Sequence, residues 1–450
     1  MMSIHKTWVD PRRFLIVLGI LLAAPLPNRA AEPGPISARL REEWDVGRFY
    51  QKQMDVGGLP VIGSAKVSDA ALAEAAWIVG HMLDGREDLL KAMRESRVRV
   101  AVMAAEEYTT DLPEHSSLKP KLFWDRRARG LGATPANPVV SCGEENLLAF
   151  PGDPYPNENI FVHEFAHAIH GTGLNKTDPT FDQRLKTTFE AAIDRGLWKN
   201  TYAATNHSEY WAEGVQSWFD DNAPRDALHN GIRTRARLKE YDPALAKLCQ
   251  EVFGDGAWRY QRPAKRGPED RRHLAGYDPD KLPRFGWREV PLGDKPRATI
   301  QTALGDFDVE LDTRAAPEAT ALFLKIALDG GYHSGQFHQA VRDTKEPATG
   351  SVTAKVNSPW LEQSAKRLKL EDAPASKAPP VGGTIALVRG GEDPGAFVIF
   401  VGSPPERPGD VVPFGRVVKG HDVVRKVLAG PLDGDALKAP TDIRRVIRTE

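Results

Sequence analysis

The sequence predicts two different folded units in one chain, a helix-rich α+β unit in front and a unit of short strands behind. Three observations predict this. Residues up to about 260 alternate short apolar runs with helical stretches. Residues 261–284 (QRPAKRGPEDRRHLAGYDPDKLPR) are charged and broken by prolines, the texture of a linker. Beyond them the pattern turns to short alternating runs, as over 298–304 and 307–311. A length of 450 residues allows two or three domains, and 41% hydrophobic residues is enough apolar material for real cores.

The elements follow in order. His5, Lys6, Arg12 and Arg13 form a basic start, followed by an apolar run over 14–26 (FLIVLGILLAAPL). That run is shorter than the roughly 20 residues of a spanning helix. Residues 1–31 are therefore expected to be a secretory signal, with small residues at Ala30 and Ala31; an uncleaved anchor is the alternative. No other segment is long and apolar enough to span a bilayer, so no stable membrane span is expected after signal cleavage. The expected location is secreted or periplasmic, in the cell envelope. Export leaves Cys142 and Cys249 with two readings, one disulfide or two buried thiols.

Ser68 and Asp69 open an alanine-rich helix to about Leu83, with Gly85 as its stop. A strand is expected over 98–103 (VRVAVM), then an irregular stretch over 104–136. The apolar runs over 138–142 and 146–150 are expected to pair as strands. A helix over 158–170 follows, ended by Gly171 and Gly173. Asp178 and Pro179 cap a further helix, in which Phe181, Leu185, Phe189 and Ile193 step by four along one face. Helices over 207–219 and 243–253 complete this unit, and residues 372–380 (DAPASKAPP) read as a flexible insert in the next.

The balance of 60 Lys and Arg against 61 Asp and Glu gives a net charge of −1. It excludes a protein whose main task is gripping nucleic acid or an anionic membrane surface. Two cysteines exclude a disulfide-dense scaffold and a four-cysteine zinc site.

Chemistry enters with His163-Glu164-Phe165-Ala166-His167. On a helix, residues four apart share a face, so both imidazoles can reach one metal ion, and Glu164 sits where it can take a proton from metal-bound water. The alternative is two surface or helix-packed histidines. A catalytic zinc needs a third protein ligand and an open position. Asn206-His207-Ser208-Glu209-Tyr210-Trp211-Ala212-Glu213 offers Glu209 as that ligand, with Glu213 on the same face to orient a ligand histidine. His207 and His170 are rival third ligands, and a solvated acidic face is the other reading of Glu209 and Glu213.

HEFAH together with residues 202–213 (YAATNHSEYWAE) resembles the catalytic domain of anthrax toxin lethal factor and its relatives, a gluzincin-type zinc metallopeptidase family. The resemblance implies an α+β zincin-like fold, extended by composition over 40–260. It implies His163, His167 and Glu209 as zinc ligands, Glu164 as general base, and Tyr202 as hydroxyl donor to the oxyanion. No substrate-docking or translocation region of the toxin is evident, so its substrate choice does not carry over. In zincins the substrate often lies along an edge strand, and residues 146–150 are the candidate for that edge.

Residues 297–430 resemble a cyclophilin-type peptidyl-prolyl isomerase. The matching segments are ATIQTALGDFDVEL (298–311), APEAT (316–320), Gly331-Tyr332-His333, Phe337-His338, GGTIAL (382–387), Phe397-Val398-Ile399 and VPFGRVVKG (412–420), in the expected order. The resemblance implies a β-barrel over 297–450, with 261–296 as linker. It implies a pocket at Phe337, His338, Gln339 and Phe397. The family places an arginine where this chain has Gln339, and a glutamine where it has Ala396. Without a guanidinium to weaken amide resonance against a barrier of ~18–20 kcal/mol, weak or absent isomerisation is expected, with Arg342 as a substitute only by moving in.

The leading functional expectation is an exported zinc metallopeptidase acting on polypeptides, with a cyclophilin-like domain that binds proline-containing segments. The alternative is an envelope prolyl isomerase or folding factor with a degenerate zinc domain. A binding protein with a structural zinc is a third reading, against which Glu164 counts.

Overall fold

A computed structural model describes residues 32–449 except 227, 275, 334, 357–380, 390–392, 394 and 403–410. The signal reading at 1–31 and the insert at 372–380 lie outside the described residues. Among the described residues no helix is long and apolar enough to cross a membrane.

The front unit is a six-stranded mixed sheet with helices on its faces. Its strands are β1 (Gly34–Pro35), β2 (Lys52–Val56), β3 (Leu59–Gly63), β4 (Arg99–Met103), β5 (Gly130–Leu131) and β6 (Val139–Gly143). Their spatial order is β1-β2-β3-β4-β6-β5. β3, β4 and β6 run parallel, and β5 closes one edge antiparallel to β6. β3 and β6 are buried along their whole length because both faces are covered.

The helices are α1 (Ala38–Trp44), α2 (Asp69–Met82), α3 (Glu87–Glu95), α4 (Lys121–Arg127), α5 (Glu144–Leu147), α6 (Ile160–Ala168), α7 (Asn175–Thr177), α8 (Phe181–Asp194), α9 (His207–Trp218), α10 (Arg235–Tyr241) and α11 (Pro243–Phe253). Ser68 caps α2 as expected, its hydroxyl accepting from the amide of Ala71 at 3.2 Å. One large core joins the sheet to α2, α6 and α9 through Ile78, Val140, Phe161, Phe165, Trp211 and Val215. A smaller core lies on the other face, with Leu40, Tyr50, Ile62, Met103 and Val139. α9 and α11 pack closely at Gly214, where a Cβ would stand 2.6 Å from Leu245 Cδ2.

Three expectations need correction, and the open choice at the cysteines is decided for one of its two readings. Residues 146–150 are not a strand: α5 and the turn after it occupy them, because Asn146 is buried and its amide binds Asp153 and the carbonyls of Tyr155 and Glu158. The glycines after α6 do not stop the helix. The chain continues as a π-helical turn over Ile169–Leu174, with Gly173 lying against Leu89 and Met93. Cys142 and Cys249 are two separate buried thiols. Residues 261–285 are not a free linker but pack along the front unit. Arg266 pairs with the buried Glu74 and stacks over Trp77, the hydroxyl of Tyr277 donates to the carbonyl of Leu148, and the amide of Phe285 donates to the carbonyl of Pro151.

The rear unit is a closed antiparallel barrel. Its strands are β7 (Arg297–Thr302), β8 (Gly305–Leu311), β9 (Gly335–Arg342), β10 (Gly350–Lys355), β11 (Thr384–Val388), β12 (Phe397–Val401), β13 (Val411–Lys419), β14 (Leu432–Asp433) and β15 (Ala436–Thr449). The order is β14-β15-β7-β8-β13-β11-β12-β10-β9, and β15 pairing with β9 closes eight strands into a ring. Closure leaves no sheet edge open in that ring. The helices α12 (Pro317–Leu328) and α13 (His421–Leu428) pack their apolar faces on the barrel. The two units touch at α4: Arg126 pairs with Asp329 at 2.9 Å, and the Arg445 guanidinium lies over the Phe123 ring.

Candidate functional site

Two helices bring the front-unit residues together. α6 starts at Asn159, whose side-chain oxygen accepts from the amide of Phe161 at 2.9 Å. α9 starts at Asn206, whose oxygen accepts from the amides of Ser208 and Glu209 at 2.8 and 2.9 Å. The indole of Trp211 donates to the carbonyl of Ala166 at 3.0 Å and locks the two helices face to face.

At their contact three donor atoms meet. His163 Nε2 and Glu209 Oε2 are 3.1 Å apart, His167 Nε2 and Glu209 Oε2 3.2 Å, and the two Nε2 atoms 3.2 Å. A tetrahedral ion with bonds of about 2 Å holds its ligands roughly 3.3 Å apart, so the triangle has the size zinc requires. The tautomers agree. Gln216 Nε2 donates to Glu158, which leaves Gln216 Oε1 to accept from His163 Nδ1 at 2.8 Å. His167 Nδ1 faces the Ser208 hydroxyl at 2.9 Å. His163 Nδ1 is thus committed to Gln216, which leaves Nε2 as the atom that would face a metal ion at the common point. Among the described residues this is the one cluster of three or more such side chains able to hold a metal ion.

The electrostatics express the same demand for a cation. Burial alone would lower the pKa of His163, but the bond to Glu209 and the charges of Glu164 and Glu213 outweigh it and push it up to about 10. Burial would raise Glu209, yet its two histidine partners hold it well below the usual carboxylate range. Burial raises Glu164, against the pull of His163 and His167. Glu164 lies against the edge strand, at a close approach that two glycines allow. A Cβ at Gly130 would stand 3.0 Å from Glu164 Cγ, and one at Gly132 would stand 2.8 Å from His167 Cβ. The edge beside this helix is therefore β5, not residues 146–150. The ring of Tyr202 is centred 6.1 Å from that of His163, and burial, then the charge of Glu209, pushes its hydroxyl up to about 12.

The structure thus gathers His163, Glu164, His167, Tyr202 and Glu209 around one point. The rivals go elsewhere: His170 and His207 both turn to Asp182 Oδ1, at 3.0 and 3.2 Å. Burial drives His170 down to about 4. Glu213 is only a distant support of His163, 3.7 Å from Nδ1, and is shared with His229 and Asn222. The direct support is Gln216, three residues beyond Glu213 and seven beyond Glu209, a spacing on the same helical face that marks it in the sequence. Arg127, in contact with Tyr202, carries no comparable sequence signal. Gln216→Leu should weaken zinc binding about 10–100-fold, read by competition with a chromophoric chelator; unchanged affinity would mean that Gln216 does not hold the ring.

The barrel residues are placed differently from expectation. Phe337 and Phe397 are fully buried inside the barrel, packed edge-to-face at 5.8 Å, and belong to its core rather than to a pocket. Strand alternation puts Val398 on the outer face instead, in a small buried cluster with Ala386, Phe400 and Val411. His338 is partly buried, its Nδ1 without a hydrogen-bond partner, and burial then Lys355 lower its pKa. Gln339 pairs in the ladder with Thr353 and Ala436. Arg342 cannot replace a missing arginine, because its guanidinium donates to the carbonyls of Leu428 and Gly430 at the end of α13.

Fold and sequence together define the class of the rear unit. Residues 297–448 match the family described as cyclophilin type peptidyl-prolyl cis-trans isomerase/CLD, and they form a cyclophilin-type closed barrel. Among curated relatives, "Peptidyl-prolyl cis-trans isomerase CYP18-2" of Arabidopsis thaliana is 26% identical over 168 residues, 36% of this chain and 96% of the relative. Among solved structures, a cyclophilin type peptidyl-prolyl cis-trans isomerase of Cryptosporidium parvum is similar at 17% identity and a TM-score of 0.28, covering 35% of this chain and 98% of that one. The same protein in the presence of the dipeptide Ala-Pro gives 17% and 0.27, over 34% and 99%.

Proposed function

We propose that the front unit is a zinc-dependent peptidase and that the cyclophilin-type barrel binds proline-containing stretches of its polypeptide substrates. The convergence of His163, His167 and Glu209 with Glu164 beside them carries this reading; the matches to known proteins speak for the barrel. A zinc ion held by those three ligands would polarise a carbonyl and make water nucleophilic at neutral pH. The chain's own groups do the rest. The free edge of β5 takes an extended peptide as an added strand. Glu164, whose burial makes its carboxylate a stronger base, accepts the proton of the attacking water and returns it to the leaving amine. The Tyr202 hydroxyl donates to the carbonyl oxygen as charge gathers there. We propose the same chain as an exported protein, secreted or periplasmic.

A second reading, a prolyl isomerase or folding factor, is favoured by the family match over residues 297–448 and by the name of the Arabidopsis relative. Gln339 and Ala396 count against strong turnover, since neither supplies a charged donor to a twisting amide. Both readings meet one experiment on the purified full-length chain, loaded with zinc: cleavage of a peptide library beside a prolyl-isomerisation assay. The expected result is zinc-dependent cleavage with little isomerisation. Strong isomerisation without cleavage would favour the second reading. Gln339→Arg should then raise isomerisation if the barrel lacks only its guanidinium; no gain would show that more of the site is missing.

A further inference from the structure

Three arginines crowd the end of α4: Arg126, Arg127 and Arg129. Arg126 is paired with Asp329 at 2.9 Å, and the fully buried Arg129 with Glu145 at 2.6 Å. Arg127 has no ion-pair partner among the described residues, although it stands in the candidate cleft. It touches the Tyr202 hydroxyl and lies within electrostatic reach of Tyr155 and Glu164. Glu164 is not its partner at salt-bridge distance. The residue remains open to solvent and therefore to an incoming ligand.

Two features hold it there. α4 is tied to the barrel from behind through Arg126 and Asp329 and through Arg445 over Phe123. Ahead of it the chain runs directly into β5, the edge strand beside Glu164. Burial, then the charges of Arg127 and Arg445, bring the pKa of His333 down to about 4. A guanidinium without an ion-pair partner among the described residues, exposed beside the candidate site, suits a bidentate bond to an incoming carboxylate.

We propose that Arg127 is a specificity-determining residue of the peptidase site, and that it takes a substrate carboxylate near the scissile bond, either an acidic side chain or a free C-terminus. The proposal rests on the peptidase reading. Tyr202 is occupied with the reacting carbonyl, so Arg127 selects by charge what lies alongside it.

The test uses full-length protein, wild type, Arg127→Gln and Arg127→Lys, with zinc. The probes are matched fluorogenic peptide pools bearing Glu or Gln near the cleavage position, each with a free or an amidated C-terminus. Wild type should prefer the carboxylate-bearing peptide by about 10–100-fold in kcat/KM, mostly through KM. Arg127→Gln should bring that ratio close to one, and Arg127→Lys should restore part of it. Loss of preference between Glu and Gln assigns an acidic side chain; loss between free and amidated ends assigns the C-terminus. A ratio that Arg127→Gln does not change overturns the proposal, as does a fall in kcat of equal size for every peptide. Binding of the same pools, measured on Glu164→Gln protein with and without Arg127→Gln, gives a second readout. If no peptide is cleaved yet binding still depends on charge and on Arg127, the peptidase reading fails and the carboxylate site stands. If binding shows no charge dependence either, both fail.

Discussion

Glu164→Gln should lower kcat for peptide hydrolysis by about 10²–10⁴-fold while leaving one zinc bound per chain. Glutamine keeps the size and the polar contacts of the side chain but cannot hold the transferred proton. The metal should stay, because Glu164 is outside the triangle formed by His163, His167 and Glu209. The measurement is kcat on a cleaved peptide together with metal content on the same sample. Retained activity above about a tenth of wild type would show that another group handles the proton, since loss of a positioned base costs at least two orders of magnitude. Loss of zinc along with activity would make Glu164 a structural support instead.

The largest expected effect on stability lies beside the cleft. Arg129 and Glu145 are both fully buried and joined at 2.6 and 2.9 Å through two nitrogens. Glu145→Ala would leave a guanidinium without a counter-charge inside the front unit, with only the carbonyls of Glu107 and Ala104 as acceptors. Breaking such a pair by removing one partner costs about 3–5 kcal/mol. Arg129 directly precedes β5, so the same change should loosen the edge strand and reduce peptide binding before the unit unfolds. Urea unfolding followed separately in the two units should show the front transition moving to lower denaturant with the barrel transition in place. An unmoved front transition would mean that the buried pair contributes little beyond a neutral replacement.

How much of this was legible before the structure depends on how local the cause was. The approach of His163 and His167 follows from a spacing of four on one helix, and the start of α9 lies at His207 as expected, behind a cap, Asn206, that the structure adds. Glu209 is favoured over His170 and His207, but spacing alone does not bring it to the two histidines; the packing of Trp211 on α6 does, and Asp182 takes both rival rings. The edge strand was missed for a different reason. β5 is two residues long and lies in a charged, glycine-bearing stretch, whereas the apolar run at 146–150 is buried in a short helix and turn, and periodicity cannot tell short buried strands from short buried helices. In the barrel, the resemblance implies Phe337 and Phe397 as pocket residues, and only the packed structure shows that they face the interior. The packing of residues 261–285 was invisible because Arg266 meets Glu74 from 192 positions away, and charge alone reads as solvated chain.

The central claim is that His163, His167 and Glu209 form one metal site. The direct measurement is zinc content, by elemental analysis of the purified, dialysed full-length protein and of its Glu209→Ala variant. One zinc per chain in the wild type and a clear loss in the variant is the predicted result. A wild type that takes up no zinc, or a variant that binds it as tightly as the wild type, would contradict the account.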